Sequence, residues 1–298
     1  MVGAAYTGNM RRTHGWAAAA VAALILAANP AFAAPKRVVS TFLCTDEYVF
    51  RLLPRERIAA LSFEATDRHP VVSTIADAAE GIPTIRPSSE AVLGFAPDLA
   101  VMYEGTMPIL HAQLARAGVA VLDVPWANSL ADIRRITTML GDKLGAPARA
   151  RALLAEMDRQ VPHVTGAPVR TLIYEPNGYA SSGGITAEIM KLSGLADAAP
   201  GLQPARTGTL PIETVITRAP QLLILNGDAD ARSSRADMVQ HHPALAAFHG
   251  TVAWAKLTPL LCPGPWSMDA AATFTALRAK TQSPSPPRSG GEGRVRGW

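Results

Sequence analysis

The sequence has few of the residues that mark cross-linking or catalysis. Its 298 residues include only two cysteines, Cys44 and Cys262, too few for a disulfide framework. The patterns G-x-S-x-G, G-x-x-x-x-G-K-[ST], H-E-x-x-H and C-x-x-C, each typical of a class of enzyme, are all missing. We therefore do not expect an enzyme. A secreted hydrolase stays open as an alternative, with Ser181 and Ser182 as candidates, because catalytic triads are geometric and can escape sequence patterns.

Apolar runs long enough to span a membrane, which takes about 20 residues, are also missing. The run from Trp16 to Ala28 is too short. It lies between a basic pair, Arg11 and Arg12, and an A-x-A site that ends at Ala33. This order predicts a signal peptide over residues 1–34, with Met10 as the natural start, and export to the periplasm. A lipid anchor is not expected, because no cysteine stands at the cleavage point.

Charge of one sign is not in excess in the mature part of the chain. Residues 281–298 are rich in Pro, Ser, Gly and Arg, which predicts a disordered tail. The two ends hold five of the 28 basic residues and one of the 24 acidic residues, so the remainder carries no net charge. A nucleic-acid partner recognised by a basic surface is therefore not expected.

The mature part alternates short apolar runs with stretches of helical spacing, which predicts an α/β fold with a mainly parallel sheet. The predicted strands cover residues 37–42, 57–63, 98–104, 119–125, 170–175, 221–228 and 252–258. The predicted helices between them cover residues 88–95, 107–118, 186–194, 211–219 and 267–280.

An internal echo predicts two similar lobes. The segments "EAVLGFAPDLAV" at Glu90 and "ETVITRAPQLLI" at Glu213 have the same pattern: each is predicted to form a helix that ends at a proline and is followed by a strand. Between the halves, apolar residues from Ala150 to Val161 follow one helical face. We expect an N-terminal lobe over 35–140, a linker helix over 141–166 and a C-terminal lobe over 167–280. A single connecting helix predicts little hinge closure.

The chain resembles the substrate-binding proteins of ABC importers for cobalamin and ferric siderophores. The matching pieces are "RVVSTFLCTDE", "SSEAVLGFAPDLAVMYEG", "QLARAGVAVLDV", the linker and "PIETVITRAPQLLIL", in that order. The resemblance implies an α/β fold of two Rossmann-like lobes joined by a single long α-helix, with the ligand cleft between the lobes. It also implies a monomer that captures a metal chelate of iron or cobalt, without a cofactor, and delivers it to ABC permease subunits at the inner membrane.

Aromatic residues are the main ligand-binding candidates. Ligands bind outside the carboxyl ends of the strands in open α/β sheets, and aromatic faces give much contact area there. Six aromatic residues lie at or beyond predicted strand ends: Phe42, Phe63, Tyr103, Trp126, Tyr179 and Trp266. The alternative is that these rings close the ends of each core. Arg68, Arg86 and Arg206 are candidates for a ligand carboxylate or phosphate, or else solvated surface residues.

One glycine-rich loop and three glutamates are further candidates. The glycines of "NGYASSGGIT" favour either an anion site or an ordinary turn and helix cap. The resemblance implies that one glutamate from each lobe docks on permease arginines. Glu213 is the second-lobe candidate, and Glu90 or Glu104 its partner. The alternative is that Glu90 and Glu213 only stabilise first turns through the helix dipole.

Histidine and cysteine leave two further questions. A relative of this fold captures bare zinc or manganese, and His69, at a strand exit, is the metal-ligand candidate for that alternative. In "LCPGPWSMDAA" the prolines favour a stiff loop that holds Trp266, with Ser267 as an N-cap. Cys44 and Cys262 follow strands in opposite lobes. We do not expect them to pair, because that bond would lock the cleft.

Overall fold

The structure is a computed structural model that describes most of residues 34–282. The described residues are Gly3, 34–68, 72–202, 209–218, 220–230 and 234–282. The predicted signal peptide, apart from Gly3 and Ala34, and the predicted tail from residue 283 onward lie outside them. No helix within these ranges is long and apolar enough to cross a membrane.

The first lobe contains a fully parallel sheet of five strands. Its strands are β1 (Val38–Ser40), β2 (Ile58–Ser62), β3 (Thr84–Ile85), β4 (Leu99–Tyr103) and β5 (Ala120–Val124). Its helices are α1 (Leu43–Leu52), α2 (Ser89–Leu93), α3 (Pro108–Arg116) and α4 (Leu130–Lys143). The strand order is β3-β2-β1-β4-β5. Because helices flank a parallel sheet, β1 and β4 are apolar and almost wholly buried.

One helix, α5 (Pro147–Arg159), leads from the first lobe toward the second. It packs tightly on α4, since a Cβ atom added to Gly141 would lie 2.5 Å from the Cβ atom of Ala150. Residues 160–168 then reach the second sheet. The buried guanidinium of Arg278 holds this segment by donating to the Thr165 carbonyl at 2.7 Å and the Ala167 carbonyl at 3.2 Å.

The second lobe contains a mixed five-stranded sheet. Its strands are β6 (Val169–Tyr174), β7 (Ala180–Ser181), β8 (Leu195–Asp197), β9 (Leu222–Asn226) and β10 (Thr251–Ala255). Its helices are α6 (Gly184–Leu192), α7 (Ile212–Thr217) and α8 (Asp269–Gln282). β6 pairs with β9 on one edge and with β8 and β7 on the other, and only the pairing with β7 is antiparallel. The α/β fold with two Rossmann-like lobes is confirmed.

Each sheet has a topological switch point, where the chain changes the direction in which it adds strands. In the first lobe the switch lies between β1 and β4, and in the second between β6 and β9. A crevice opens outside the carboxyl ends of the strands at such a point. The two sheets therefore predict where ligand-binding residues belong: directly after β1, β4, β6 and β9.

The lobes are joined by a disulfide bond between Cys44 and Cys262, with their Cα atoms 4.8 Å apart. The expectation that these cysteines stay unpaired is wrong. Cys44 lies in the first turn of α1, directly after β1, and Cys262 lies in the loop between β10 and α8. Both cysteines are buried.

A second contact between the lobes lies at the start of α4. The Leu130 amide donates to the Glu188 carboxylate of α6 at 2.8 Å. Beside it, a Cβ atom added to Gly184 would lie 3.6 Å from the Asn128 carbonyl oxygen. We call the Cys44–Cys262 bond and the Leu130–Glu188 hydrogen bond together the lobe junction.

Candidate functional site

Three aromatic side chains form a cluster at the switch point of the first lobe. Phe42 follows β1, Tyr103 ends β4, and Trp126 lies two residues after β5. The ring centroids of Tyr103 and Trp126 are 4.1 Å apart and edge-on, and that of Phe42 lies 5.4 Å from Tyr103. We call these residues the aromatic cluster. It offers a preformed apolar surface at the carboxyl edge of the sheet.

Trp126 is the accessible member of the aromatic cluster, with half of its surface exposed. Its indole Nε1 donates to the Glu104 carbonyl at 3.1 Å, which fixes the ring. Tyr103 is 1% exposed and supports the indole from behind. Burial raises the pKa of Tyr103 to about 12, so its phenol stays neutral at physiological pH.

A cavity of about 310 Å³ lies at the switch point of the second lobe. Its lining residues are Ile173, Glu175, Ser181, Thr186, Asn226, Leu257, Leu260 and Leu261. Glu175 directly follows β6 and Asn226 ends β9, as the switch-point rule requires. The cavity thus has an apolar part made of leucine and isoleucine, and a polar part centred on one carboxylate.

Glu175 is oriented by two neutral donors. Its Oε1 accepts from the Ser181 hydroxyl at 2.7 Å, and its Oε2 accepts from the Asn226 amide at 2.7 Å. Asn226 is fixed in turn, since its Oδ1 accepts the Leu257 amide N–H at 2.9 Å. The carboxylate is therefore held in place without an opposite charge.

The aromatic cluster and the cavity both adjoin the lobe junction. Phe42 is two residues from Cys44, whose disulfide partner Cys262 adjoins the cavity residue Leu261. At the other contact, Trp126 is two residues from Asn128, which lies against Gly184, two residues before the cavity residue Thr186. The aromatic cluster and the cavity thus each include residues within two positions of the lobe junction.

A buried carboxylate supports the first-lobe wall from beneath. Asp46, in the first turn of α1, accepts from the Ser62 amide N–H at 3.1 Å and from its hydroxyl, at the end of β2. Loss of hydration raises the pKa of Asp46 from 3.8 to about 7, with a smaller contribution from the nearby Glu64 carboxylate, although the hydrogen bonds oppose the rise.

Two other candidate rings lie further along the strand ends. Phe63 follows β2 and is 40% exposed, and the guanidinium of Arg86 lies over its ring at 4.1 Å from the centroid. Tyr179, 44% exposed, lies just before β7 in the second lobe.

Arg68 lies outside the aromatic cluster and the cavity. Its guanidinium donates to Asp77 at 2.7 Å and to Glu80 at 2.9 Å. These two carboxylates lie within its own lobe. Arg206 lies outside the described residues.

Trp266 does not line the cleft, contrary to the sequence-based expectation. Its ring is 5% exposed and lies edge-on to Tyr48 of α1, with centroids 4.8 Å apart, and the guanidinium of Arg51 covers it at 4.3 Å. The stiff loop turns the indole back into the first lobe, where its Nε1 donates to the Cys262 carbonyl at 2.9 Å. Ser267 accepts from the Gly264 amide N–H and donates to the Pro259 carbonyl, and does not cap α8.

The glycine-rich loop before α6 already holds an internal anion. The Asp197 carboxylate accepts from the Ser182 hydroxyl at 2.9 Å and from the Gly183 amide N–H at 3.1 Å. This contact favours the turn-and-cap interpretation over an external anion site. Ser181 and Ser182 each donate to a carboxylate, and neither of these bonds involves a histidine.

The three candidate docking glutamates are exposed. Glu90 lies in the first turn of α2 and Glu213 in the first turn of α7. Glu104 follows β4 beside Trp126. The metal-ligand candidate His69 lies outside the described residues. Within the described part of the chain, no group of three or more His, Cys, Asp or Glu side chains is placed to hold a metal ion.

Sequence reasoning missed the polar half of the cavity. Glu175 ends the run "RTLIYE" and Asn226 lies in "QLLILNGD", and both runs are predicted strands. A polar residue at the exit of an apolar strand is the signal that points to them, once the strand order is known.

No protein-family model matches the sequence, and none of the curated proteins compared with it matches. Solved structures match it over most of its length. The apo periplasmic heme-binding protein RhuT from Roseiflexus sp. RS-1 has a TM-score of 0.63 at 20% identity, covering 83% of this chain and 98% of RhuT. A periplasmic heme-binding protein from Pseudomonas aeruginosa has a TM-score of 0.57 at 23% identity, covering 85% and 96%.

A third match is the periplasmic vitamin B12-binding protein BtuF of Vibrio cholerae. Its TM-score is 0.57 at 18% identity, covering 84% of this chain and 98% of BtuF. The chain has the fold of the periplasmic binding proteins. The fold implied by the sequence resemblance is thereby confirmed.

Proposed function

We propose that this protein is an exported solute-binding protein that captures a metal chelate in the periplasm and delivers it to an ABC permease. The observation that carries the proposal is that the aromatic cluster, with half-exposed Trp126, and the second-lobe cavity both adjoin the lobe junction. A rigid aromatic surface together with a small, partly polar cavity suits a large and partly apolar ligand.

The structural neighbours support a chelate as the ligand. RhuT is a heme-binding protein and BtuF a vitamin B12-binding protein, and both share this fold over nearly their whole length. Heme and vitamin B12 are large rings around a metal ion. A chelate of iron or cobalt is the cargo of the proposed transport cycle. The proposed function of the protein is to bind this chelate, and not to catalyse a reaction.

Delivery needs a surface that a permease can recognise. Glu213 and one of Glu90 and Glu104 are proposed to dock on permease arginines, one from each lobe. Their exposure supports this role, because an exposed carboxylate is free to form a bidentate pair with an arginine. The binding protein itself acts as a monomer, with the predicted signal peptide removed on export.

A fluorescence titration tests the proposal. The purified protein is titrated with heme, cobalamin, several ferric siderophores and zinc while tryptophan emission is recorded. The proposal expects saturable quenching by at least one chelate and none by zinc. Binding of zinc alone, lost on replacement of His69, would show bare metal capture instead. Turnover of an ester or peptide panel, abolished by Ser181→Ala or Ser182→Ala, would show an enzyme.

A further inference from the structure

Glu175 is the one charged side chain among the described residues that line the second-lobe cavity. Both carboxylate oxygens accept a single neutral hydrogen bond, from Ser181 and from Asn226. Each oxygen has a second lone pair, so the group can still accept donors from a ligand. The apolar neighbours Ile173, Leu257 and Leu260 lower the local dielectric, which strengthens any interaction with the charge.

No described residue forms a salt bridge with Glu175. The nearby Lys256 is paired with Asp228 at 2.6 Å. In the first lobe, Glu104 is exposed beside Trp126. The cation Arg86 lies over Phe63, at the strand ends beyond the switch point. Among the described residues that line the cavity, the charge of Glu175 is thus the only one.

We infer that Glu175 determines specificity: the cavity selects chelates that present an ammonium group to the second lobe and rejects those that present a carboxylate there. The inference rests on the proposed function and narrows its ligand class to cationic chelates such as a ferric hydroxamate with a free amine. A fixed, unneutralised carboxylate in a partly enclosed cavity attracts a cation and repels an anion, so it discriminates in both directions.

Two matched ligands test this inference. Ferrioxamine B carries a terminal ammonium, and its N-acetylated form is the same ferric trihydroxamate without that charge. In calorimetric titrations, the wild-type protein should bind ferrioxamine B about tenfold more tightly than the acetylated form. In Glu175→Gln the two constants should converge. Glu156→Gln removes an exposed carboxylate on α5 and should keep the preference.

Each outcome of the titration decides between the two proposals. Equal affinities in the wild-type protein would overturn the inference, and this result needs no variant to fold. An unchanged preference in folded Glu175→Gln would overturn it too. Binding of heme, which carries carboxylates, without binding of either hydroxamate would overturn the inference and leave the proposed function standing. Binding of no chelate at all would overturn the proposed function itself.

Discussion

Asp46 shows how a single residue ties the binding site to the stability of the first lobe. Its carboxyl joins the start of α1 to the end of β2 through Ser62, beneath the wall that holds Phe42. Because burial favours the neutral form, the pKa of Asp46 rises to about 7 in the folded protein. Its contribution to stability is complete below about pH 4 and is lost as the pH rises through 7.

Replacing Asp46 should therefore flatten the pH dependence of folding. In Asp46→Asn the amide oxygen can still accept from Ser62. Unfolding of the variant, however, no longer releases the proton that folded wild-type Asp46 retains between pH 4 and pH 7. We expect the free energy of unfolding of the wild-type protein to fall relative to the variant by about 2–4 kcal/mol across this range. Urea denaturation at several pH values measures the difference. Parallel curves for wild type and variant would contradict the pKa assignment.

The positions of candidate binding residues were predictable from the sequence where they follow directly from the carboxyl end of a strand. Phe42, Tyr103 and Trp126 each lie at a strand exit, and the structure brings all three together. Trp266 also follows a strand, but its direction depends on the turn at Gly264, where an added Cβ atom would overlap the indole ring. Side-chain direction in a loop is a tertiary property, and spacing along the sequence does not contain it.

The helix pair α4 and α5 shows a packing constraint at the scale of elements. Gly141 of α4 leaves no room for a side chain, because its hydrogen lies against Ala150 of α5. This close approach sets the direction in which the chain leaves the first lobe.

A swap of the two small residues tests the packing of this pair. Gly141→Ala should lower the free energy of unfolding by about 1–3 kcal/mol, because the overlap outweighs the better helix propensity of alanine. The double variant Gly141→Ala and Ala150→Gly restores the space and should recover part of the loss. Guanidinium denaturation checks both. A double variant no more stable than the single one would contradict direct contact between the two positions.

The elements were predictable where they are long and apolar. All seven predicted strands are present. The three strands that were not predicted, β3, β7 and β8, have only two or three residues and are too short to show any periodicity. α1 and α4 were both missed. α1 buries the polar residues Asp46 and Glu47 alongside its apolar ones, which hides the amphipathic pattern. The linker prediction of 141–166 contains α5, whose helical residues are Pro147–Arg159.

The whole molecule is tied together by more than one connection between its lobes. Besides α5, the Cys44–Cys262 bond and the Leu130–Glu188 hydrogen bond connect the two lobes. The cysteine pairing was not predictable, because it depends on how close the two lobes approach and not on either loop alone.

Removing the disulfide should loosen the lobes and lower stability. The bond closes a sequence separation of 218 residues, so Cys44→Ser with Cys262→Ser should lower the free energy of unfolding by about 2–5 kcal/mol.

Small-angle scattering should show no ligand-induced compaction of the wild-type protein, because the junction presets the cleft. Marked compaction with the disulfide intact would contradict a preset cleft.

The central claim is that a chelate binds between the aromatic cluster and the second-lobe cavity, and Trp126→Ala tests it most directly. The indole is half exposed, so its removal should leave the fold intact. For the chelate that the wild-type protein binds most tightly, calorimetric titration should show affinity reduced about 10- to 100-fold. Trp254→Phe, which alters a ring packed on His241, should bind as wild type does. Unchanged affinity in folded Trp126→Ala would contradict the claim.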